Sequence, residues 1–217
     1  MEQFEITKDL VKNIHAILDK GLSFGLGEPK PGKFCVEAAV CYALGEEHCD
    51  SPSCVGNSVR NVKIDLNDQS WSSKKARAKG LRKLAIAQLG SRELDQAEFD
   101  DKLEMKTIKV FVPWLLSKLK GAKKFQKEIN SLINKLKRYK ERKGQLDVIL
   151  QKMDELYSES EIEFLTVDFI ADFEGLIGMA PCYYQCFKLK RDEFLAKGAE
   201  IVLSVLKDMK SPGCKYL

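Results

Sequence analysis

Residues 125–157, FQKEINSLINKLKRYKERKGQLDVILQKMDELY, carry the clearest structural pattern in the chain. Side chains recur there at alternating intervals of four and three residues, with one polar interruption, namely Phe125, Ile129, Leu132, Leu136, Tyr139, Lys143, Leu146, Leu150, Met153 and Tyr157. This heptad spacing predicts helix with a single apolar face. Gly144 costs about 1 kcal/mol inside a helix, so the pattern allows a helical hairpin or one long charged helix. The unbroken register favours a single helix of about 50 Å.

The charges of this region are divided between its two halves. Residues 118–143 carry a net charge of +9, whereas residues 145–174 carry a net charge of −8. Two arrangements can bury the apolar face: packing against the late helices of the same chain, or antiparallel pairing of two chains selected by charge. In a homodimer, the predicted interface residues are Leu132, Leu136, Leu146, Leu150 and Met153.

The rest of the chain also has helical periodicity. Ile6, Leu10 and Ile14 recur at helical spacing, and so do the apolar residues of 55–66 and 81–89. The apolar segment Thr107–Leu119 contains the best strand candidate, Val110–Val112, but we favour helix there, interrupted or started by Pro113. The prediction is an all-α, multi-helix globular bundle. We divide it into an N-terminal helical module (1–117), a charged heptad-patterned arm (118–160) and C-terminal helices on the same core (161–217).

Composition restricts the class of protein. The 217 residues are 44% hydrophobic and 31% charged with a net charge of +4, which is typical of a globular chain and too weakly basic to identify a nucleic-acid binder. No apolar run approaches the ~20 residues of a membrane span. The acidic start, MEQFE, is unlike a secretory signal, so we expect a cytoplasmic protein with no membrane partner. Its seven cysteines are then expected to be mainly free thiols.

The densest group of reactive side chains lies in residues 35–50. Cys35 lies at the start of a predicted helix, where free amides and the helix dipole lower a thiol pKa. With Glu37 in the first turn and His48 and Asp50 in the next loop, these four residues are candidates for cysteine-based catalysis. The competing interpretation places Cys35 in the core and His48 in a solvated loop.

Cysteine spacing gives weak candidates for a metal site. One candidate ligand set combines Cys49 and Cys54 with His48, and the other combines them with Cys182 and Cys186. The spacings are CxxxxC and CxxxC, unlike the paired CxxC of structural zinc sites. Walker, GxGxxG, HExxH and GxSxG motifs are also missing from the sequence. We therefore assign neither a metal nor a cofactor, and whether the chain is an enzyme stays open.

Residues 34–91 carry a longer pattern, C-V-x-E, then G-E-x-x-x-D-x-P-x-C, then L-N-D, followed by a leucine-rich helix that ends in glycine. It resembles uncharacterised helical proteins of bacteria and phages. The resemblance implies a compact helical module of bacterial or mobile-element origin, with residues 118–160 as an added arm. It implies no catalytic role. The positions it selects are Cys35, Glu37, Gly45, Glu46, Asp50, Pro52 and Cys54.

The leading functional prediction is a helical module that binds other proteins, or a second copy of itself through residues 122–157. One alternative is an enzyme or small-ligand-binding protein with a site around Cys35, Glu37 and Asp50, to which Glu46 and Cys54 would contribute. The other is nucleic-acid contact through the basic stretch 118–143, where phosphates would be neutralised by residues that include Lys123, Lys124, Lys127, Lys135, Lys137 and Arg138. Few aromatic side chains interleave with these cations, which disfavours a stacking platform.

Overall fold

The computed structural model describes residues 5–118, 125–140, 146–149, 151–152, 155, 172–186 and 189–217. Helix predominates in these ranges, and they contain no β-strand. Their one β-type pairing is an isolated bridge between Gly27 and Phe34. The predicted all-α fold is therefore confirmed.

Ten α-helices are described, together with shorter helical turns. They are α1 Lys8–Leu18, α2 Val36–Leu44, α3 Asn57–Asn67, α4 Lys74–Ala87, α5 Gln96–Lys106, α6 Val112–Leu116, α7 Gln126–Lys137, α8 Phe173–Gly178, α9 Ala180–Cys186 and α10 Arg191–Asp208. A π-helical turn at Thr107–Phe111 leads from α5 into α6. Short 3₁₀ turns lie at Ser91–Glu93 and Pro212–Tyr216.

The chain folds into two compact units. The first contains residues 1–101 and 191–217, and the second contains residues 102–190. These limits do not coincide with the boundaries after residues 117 and 160 that the sequence suggested. None of the helices in the described ranges combines the length and the apolar character that crossing a membrane would require.

In the first unit, α4 packs most extensively against α10, and α1 packs against α2 and α4. The chain after α10 is then fixed to the end of α4. The Ser211 hydroxyl donates to the Ala87 carbonyl, and the Gly213 N–H donates to Leu89 O at 2.9 Å. A Cβ at Gly213 would lie 2.0 Å from Ile86 O, so the close approach requires glycine.

In the second unit, residues 107–116 are helical, so the strand candidate at Val110–Val112 is not a strand. Pro113 is the second residue of α6, directly after the wider π-helical turn. A proline lacks the N–H that a regular helix interior would need, and the π-helical turn allows the chain to pass it without ending the helix. The ring of Phe111 contacts those of Trp114 and Phe173, with centroids 5.9 Å and 5.8 Å apart.

The single long helix favoured by the heptad register is wrong. α7 ends at Lys137, and Tyr139 and Lys140 are not helical. Burial and the neighbouring amine of Lys152 lower the pKa of Lys135, although one continuous helix would separate these two lysines by about 25 Å. Val148 and Ile149 also share a cleft with four residues of the α7 segment. The described residues therefore fit the hairpin alternative.

The first half of the heptad face is buried in its own unit. Ile129, Leu132, Leu136 and Tyr139 are at most 8% exposed, and α7 packs against α6 and the π-helical turn. In the part of the chain that the structure describes, this face thus packs mainly against the helices that precede it. In the second half, Leu146 is half-buried and Ile149 is buried. The predicted interface residues Leu150 and Met153 lie outside the described residues.

Candidate functional site

The site begins with a charged pair enclosed in the first unit. Glu37 lies in the first turn of α2 and Lys63 lies on α3, and both side chains are fully buried. Lys63 Nζ lies 2.9 Å from Glu37 Oε1. Beyond this contact, neither the amine nor the carboxylate makes a well-formed hydrogen bond with the described residues. The two charged groups have therefore lost their hydration, and the main contact that replaces it is the one between them.

Burial shifts the pKa values of this pair in opposite directions. It raises the pKa of Glu37, while Lys63, the buried Gln88 amide and Arg60 act to lower it. Burial also lowers the pKa of Lys63, against the effect of Glu37. In both residues, removal from water is the larger effect, so the protein holds these groups away from their ordinary protonation behaviour.

A loop formed by residues 21–34 lies beside this pair. Ser23 N–H donates to Phe34 O at 2.7 Å, and Cys35 N–H donates to Leu26 O at 3.2 Å. At the far end, Gly27 has a φ of +77°, and a Cβ there would lie 1.8 Å from Lys33 O. The glycine thus allows the two sides of the loop to approach each other closely.

The end of α3 attaches this loop to α2. Asn67 Oδ1 accepts a hydrogen bond from Val36 N–H at 3.2 Å, and its amide donates to Ser23 O at 3.0 Å. Asp68 Oδ1 accepts from Gly25 N–H at 2.8 Å and from the Asn67 amide at 2.7 Å. The adjacent side chains of Asn67 and Asp68 therefore hold the 21–34 loop against the start of α2.

The turn formed by residues 45–54 is the third segment of the site, after α2 with α3 and the 21–34 loop. Both oxygens of the Glu46 carboxylate accept from Ser53 N–H, at 3.3 and 3.2 Å, which closes the turn on itself. Arg60 Nη2 lies 3.0 Å from Asp50 Oδ1, and Arg60 Nε–H donates to Asp50 O at 2.8 Å. Asp50 is thereby held against α3.

These three segments enclose a small crevice of about 20 Å³, lined by Gly25, Leu26, Cys35, Val36, Glu37, Asp50, Ile64, Asn67 and Asp68. The volume is enough for about one water molecule. Three of the lining residues carry carboxylates, one is a thiol and one is an amide. The lining therefore combines several residues that carry hydrogen-bond acceptors with apolar ones.

The cations that balance these acids lie outside the lining. Arg60 pairs with Asp50, Lys63 pairs with Glu37, and Arg77 interacts electrostatically with Asp68. The guanidinium of Arg77 donates instead to three backbone carbonyls, those of Leu22, Asn67 and Gln69. Three acidic residues thus belong to the lining of the crevice, and the cations that balance them do not.

Exposed apolar side chains occur on the same loop. Phe24 is 66% exposed and Leu26 is 42% exposed, and they flank Gly25, one of the crevice residues. Tyr42 on α2 is 50% exposed, and its ring packs on that of Phe34 with centroids 4.9 Å apart. The structure thus combines an acidic crevice with a partly apolar border.

The cysteine-based catalytic prediction is not supported by this geometry. Cys35 is the N-cap of α2, where its Sγ accepts from Ala38 N–H at 3.2 Å. The expected lowering of its pKa is wrong, because burial raises the pKa of Cys35 to about 11. His48 contacts the Phe34 ring and Gly27 O. Of the four candidates, Cys35, Glu37 and Asp50 border one crevice, and His48 is not among its lining residues.

The candidate metal ligands do not assemble in the part of the chain that the structure describes. No three side chains of His, Cys, Asp or Glu lie there in an arrangement that could hold a metal ion. Cys54 is buried, which raises its pKa to about 11. Cys49 lies instead against Cys41, with their Sγ atoms 3.5 Å apart. The side chains of Cys182 and Cys186 lie outside the described residues.

The basic candidates are only partly described. Lys127, Lys135, Lys137 and Arg138 lie on α7 or at its end and are exposed, whereas Lys123 and Lys124 lie outside the described residues. Nucleic-acid contact through this stretch stays a prediction.

Sequence reasoning missed Lys63, the partner of Glu37. A signal was present, because Lys63 lies in the apolar stripe of α3, four residues after Val59 and three before Leu66. A charged residue at such a position is unusual and indicates a buried partner. Asn67 and Asp68, which also line the crevice, belong to the L-N-D element of the pattern.

The comparisons with known proteins add no assignment, since no protein family, no curated protein and no solved structure matches the chain.

Proposed function

We propose that the protein is a helical binding module that recognises a partner protein through the first unit, by accepting a lysine ammonium group in the acidic crevice. The observation that carries this proposal is the crevice itself. Glu37, Asp50 and Asp68 line it, whereas their cationic partners do not. Glu37 is fully buried there, and its Oε2 makes no well-formed hydrogen bond with the described residues.

The size of the crevice selects the group. Its volume of about 20 Å³ suits a group the size of water. A primary ammonium is a compact cation with three donors, whereas the planar guanidinium of arginine is larger. A lysine ammonium would supply the donors that the carboxylates and the Asn67 amide oxygen can accept, and charge-assisted hydrogen bonds of this kind are the stronger ones.

The border of the crevice favours a lysine in a protein over a free amine. The long aliphatic stem of lysine packs on apolar surface while its charge binds elsewhere. Phe24 and Leu26 offer such surface on either side of Gly25. The proposal therefore keeps the predicted protein-binding function but assigns it to the first unit instead of residues 122–157. We also propose a reducing compartment such as the cytoplasm, in which cysteines are mainly free thiols.

Binding of a peptide probe to the full-length protein tests the proposal. The probe is acetyl-Leu-Lys-Leu-amide, and its neutral control is the same peptide with norleucine in place of lysine. We expect a Kd of about 1 mM or tighter for the lysine peptide. Asp68→Asn should weaken binding by at least about tenfold, because it removes a charged acceptor.

A matched variant separates local from general charge effects. Asp9 lies on α1 with its side chain 91% exposed, so Asp9→Asn changes the net charge equally and should leave the affinity unchanged. Equal binding of the norleucine peptide, or no effect of Asp68→Asn, would contradict the proposal. If methylammonium binds as tightly as the lysine peptide, the apolar border contributes nothing and the small-ligand alternative replaces the protein partner.

A further inference from the structure

Two thiols in the first unit are positioned to react with each other. Cys41 lies in α2 and is buried, and Cys49 lies in the following turn and is partly exposed. Their Sγ atoms are 3.5 Å apart. The turn itself is folded back over the end of α2, since Gly45 adopts a φ of +75° and Glu46 N–H donates to Cys41 O at 2.9 Å.

We propose that Cys41 and Cys49 form a redox modification site, at which a low-molecular-weight disulfide such as oxidised glutathione converts the two thiols into an intramolecular disulfide. The proposal does not depend on the lysine-binding function. It requires the sulfur atoms to approach from 3.5 Å to about 2.05 Å. The turn formed by residues 45–54 can supply this small movement, because Cys49 within it is only partly buried.

The unequal exposure of the two thiols sets the order of the steps. Burial, together with the neighbouring Cys49, raises the pKa of Cys41, so this thiol is poorly suited to attack first. Cys49 is the more accessible sulfur. After losing its proton to solvent, it attacks one sulfur of oxidised glutathione, which releases one glutathione thiolate and leaves a mixed disulfide on Cys49.

Cys41 then resolves the mixed disulfide. Its sulfur attacks Cys49 Sγ, its proton passes to solvent, and the bond between Cys49 and glutathione breaks to release a second glutathione thiolate. Both released thiolates take up a proton. The protein thus loses two electrons and two protons, and the oxidant gains them as two glutathione thiols. The product covalently fixes the turn to α2.

The test is peptide mapping of the folded, full-length protein after incubation with oxidised glutathione. The reaction is quenched with acid, free thiols are alkylated after unfolding, and the digest is analysed by mass spectrometry. We expect a cross-linked peptide that contains Cys41 and Cys49 and lacks the mass of two hydrogen atoms. Cys214 is similarly partly exposed and serves as an internal control, which should carry only a mixed disulfide with glutathione.

Two variants test the order of the steps. In Cys41→Ser, the resolving thiol is lost, so glutathione should accumulate on Cys49 to at least about ten times its level in the unaltered protein, because the fast intramolecular step is missing. In Cys49→Ser, Cys41 should remain an unmodified thiol while Cys214 still reacts.

Three results would overturn the proposal, and the first needs no variant. One is a native protein in which Cys49 carries stable glutathione although Cys41 is intact. The second is a cross-link from Cys49 to any other cysteine. The third is a Cys41→Ser protein in which the mixed disulfide on Cys49 is no more abundant than before.

Discussion

The two units bury different kinds of side chain. In the first, the core includes charged and polar groups from distant parts of the chain, namely Glu37, Lys63, Asn67, Arg77, Gln88, Ser91 and Ser211. In the described part of the second unit, Thr107 is the one buried polar residue apart from tyrosines. We therefore expect stability in the first unit to depend on buried polar pairs such as Glu37 and Lys63, and stability in the second unit to depend mainly on filling volume.

The largest expected effect breaks the buried ion pair. Lys63→Met retains most of the side-chain volume but leaves the Glu37 carboxylate buried without its cation, so we expect a loss of about 3–5 kcal/mol in the free energy of unfolding. Urea unfolding measures it. The double variant with Glu37→Gln should recover much of this loss, since no unpaired charge remains.

Lys79→Met is the matched control for that experiment. Lys79 is exposed on α4, and its replacement should change stability by no more than about 0.5 kcal/mol. If Lys63→Met changes stability as little as Lys79→Met does, the conclusion that the first unit depends on its buried ion pair is contradicted.

The second prediction makes the corresponding change in the second unit. Leu136 is fully buried on α7. Leu136→Ala should cost about 2–5 kcal/mol because it leaves a cavity, whereas the volume-conserving Leu136→Met should cost less than about 1.5 kcal/mol. Equal costs for the two variants would show that volume does not dominate there.

The same variants address self-association through the heptad face. Because Leu132 and Leu136 are buried within their own unit, we expect Leu136→Ala to lower stability without changing the mass measured by light scattering. A wild-type dimer that becomes a monomer in Leu136→Ala would instead favour the interface predicted from the sequence.

A smaller effect is expected at the loop that borders the crevice. Gly27→Ala places a Cβ 1.8 Å from Lys33 O, whereas at Gly25, where φ is +61°, a Cβ would meet nothing within 4 Å. Gly25→Ala should therefore cost only the left-handed strain of about 1 kcal/mol, and Gly27→Ala should cost at least about 1 kcal/mol more. Thermal unfolding compares the two variants, and equal melting temperatures would contradict the close approach of Gly27 to Lys33 O.

The smallest effect concerns pH. Burial lowers the pKa of His15, and so does Arg82, whose Nη1 lies 3.0 Å from His15 Nδ1, while Asp19 acts in the opposite direction. The unfolded chain therefore takes up this proton more readily than the folded one. The stabilising contribution is complete above the unfolded pKa of about 6.5 and is lost as the pH falls through the folded pKa.

His15→Gln should remove this contribution to the pH dependence. We expect the unfolding free energy of the wild type to fall more steeply than that of the variant between about pH 7 and pH 5. Parallel curves from urea unfolding at several pH values would show that His15 is not responsible.

Local patterns predicted the fold class, since helical periodicity is a property of neighbouring residues. Three of the four catalytic candidates, Cys35, Glu37 and Asp50, also proved to border one crevice. What the sequence could not supply was the tertiary environment. The helix-start effect on the Cys35 pKa was correctly identified, but burial outweighs it. Likewise, the heptad register continued past residue 137 although the helix does not.

Amide chemical-shift mapping of the ¹⁵N-labelled, full-length protein with acetyl-Leu-Lys-Leu-amide tests most directly whether the first unit carries the binding function. The account predicts saturable shifts that are largest around Gly25, Glu37 and Asp68, and that are missing with the norleucine peptide. Shifts that are largest in residues 125–140, or the same shifts with both peptides, would contradict it.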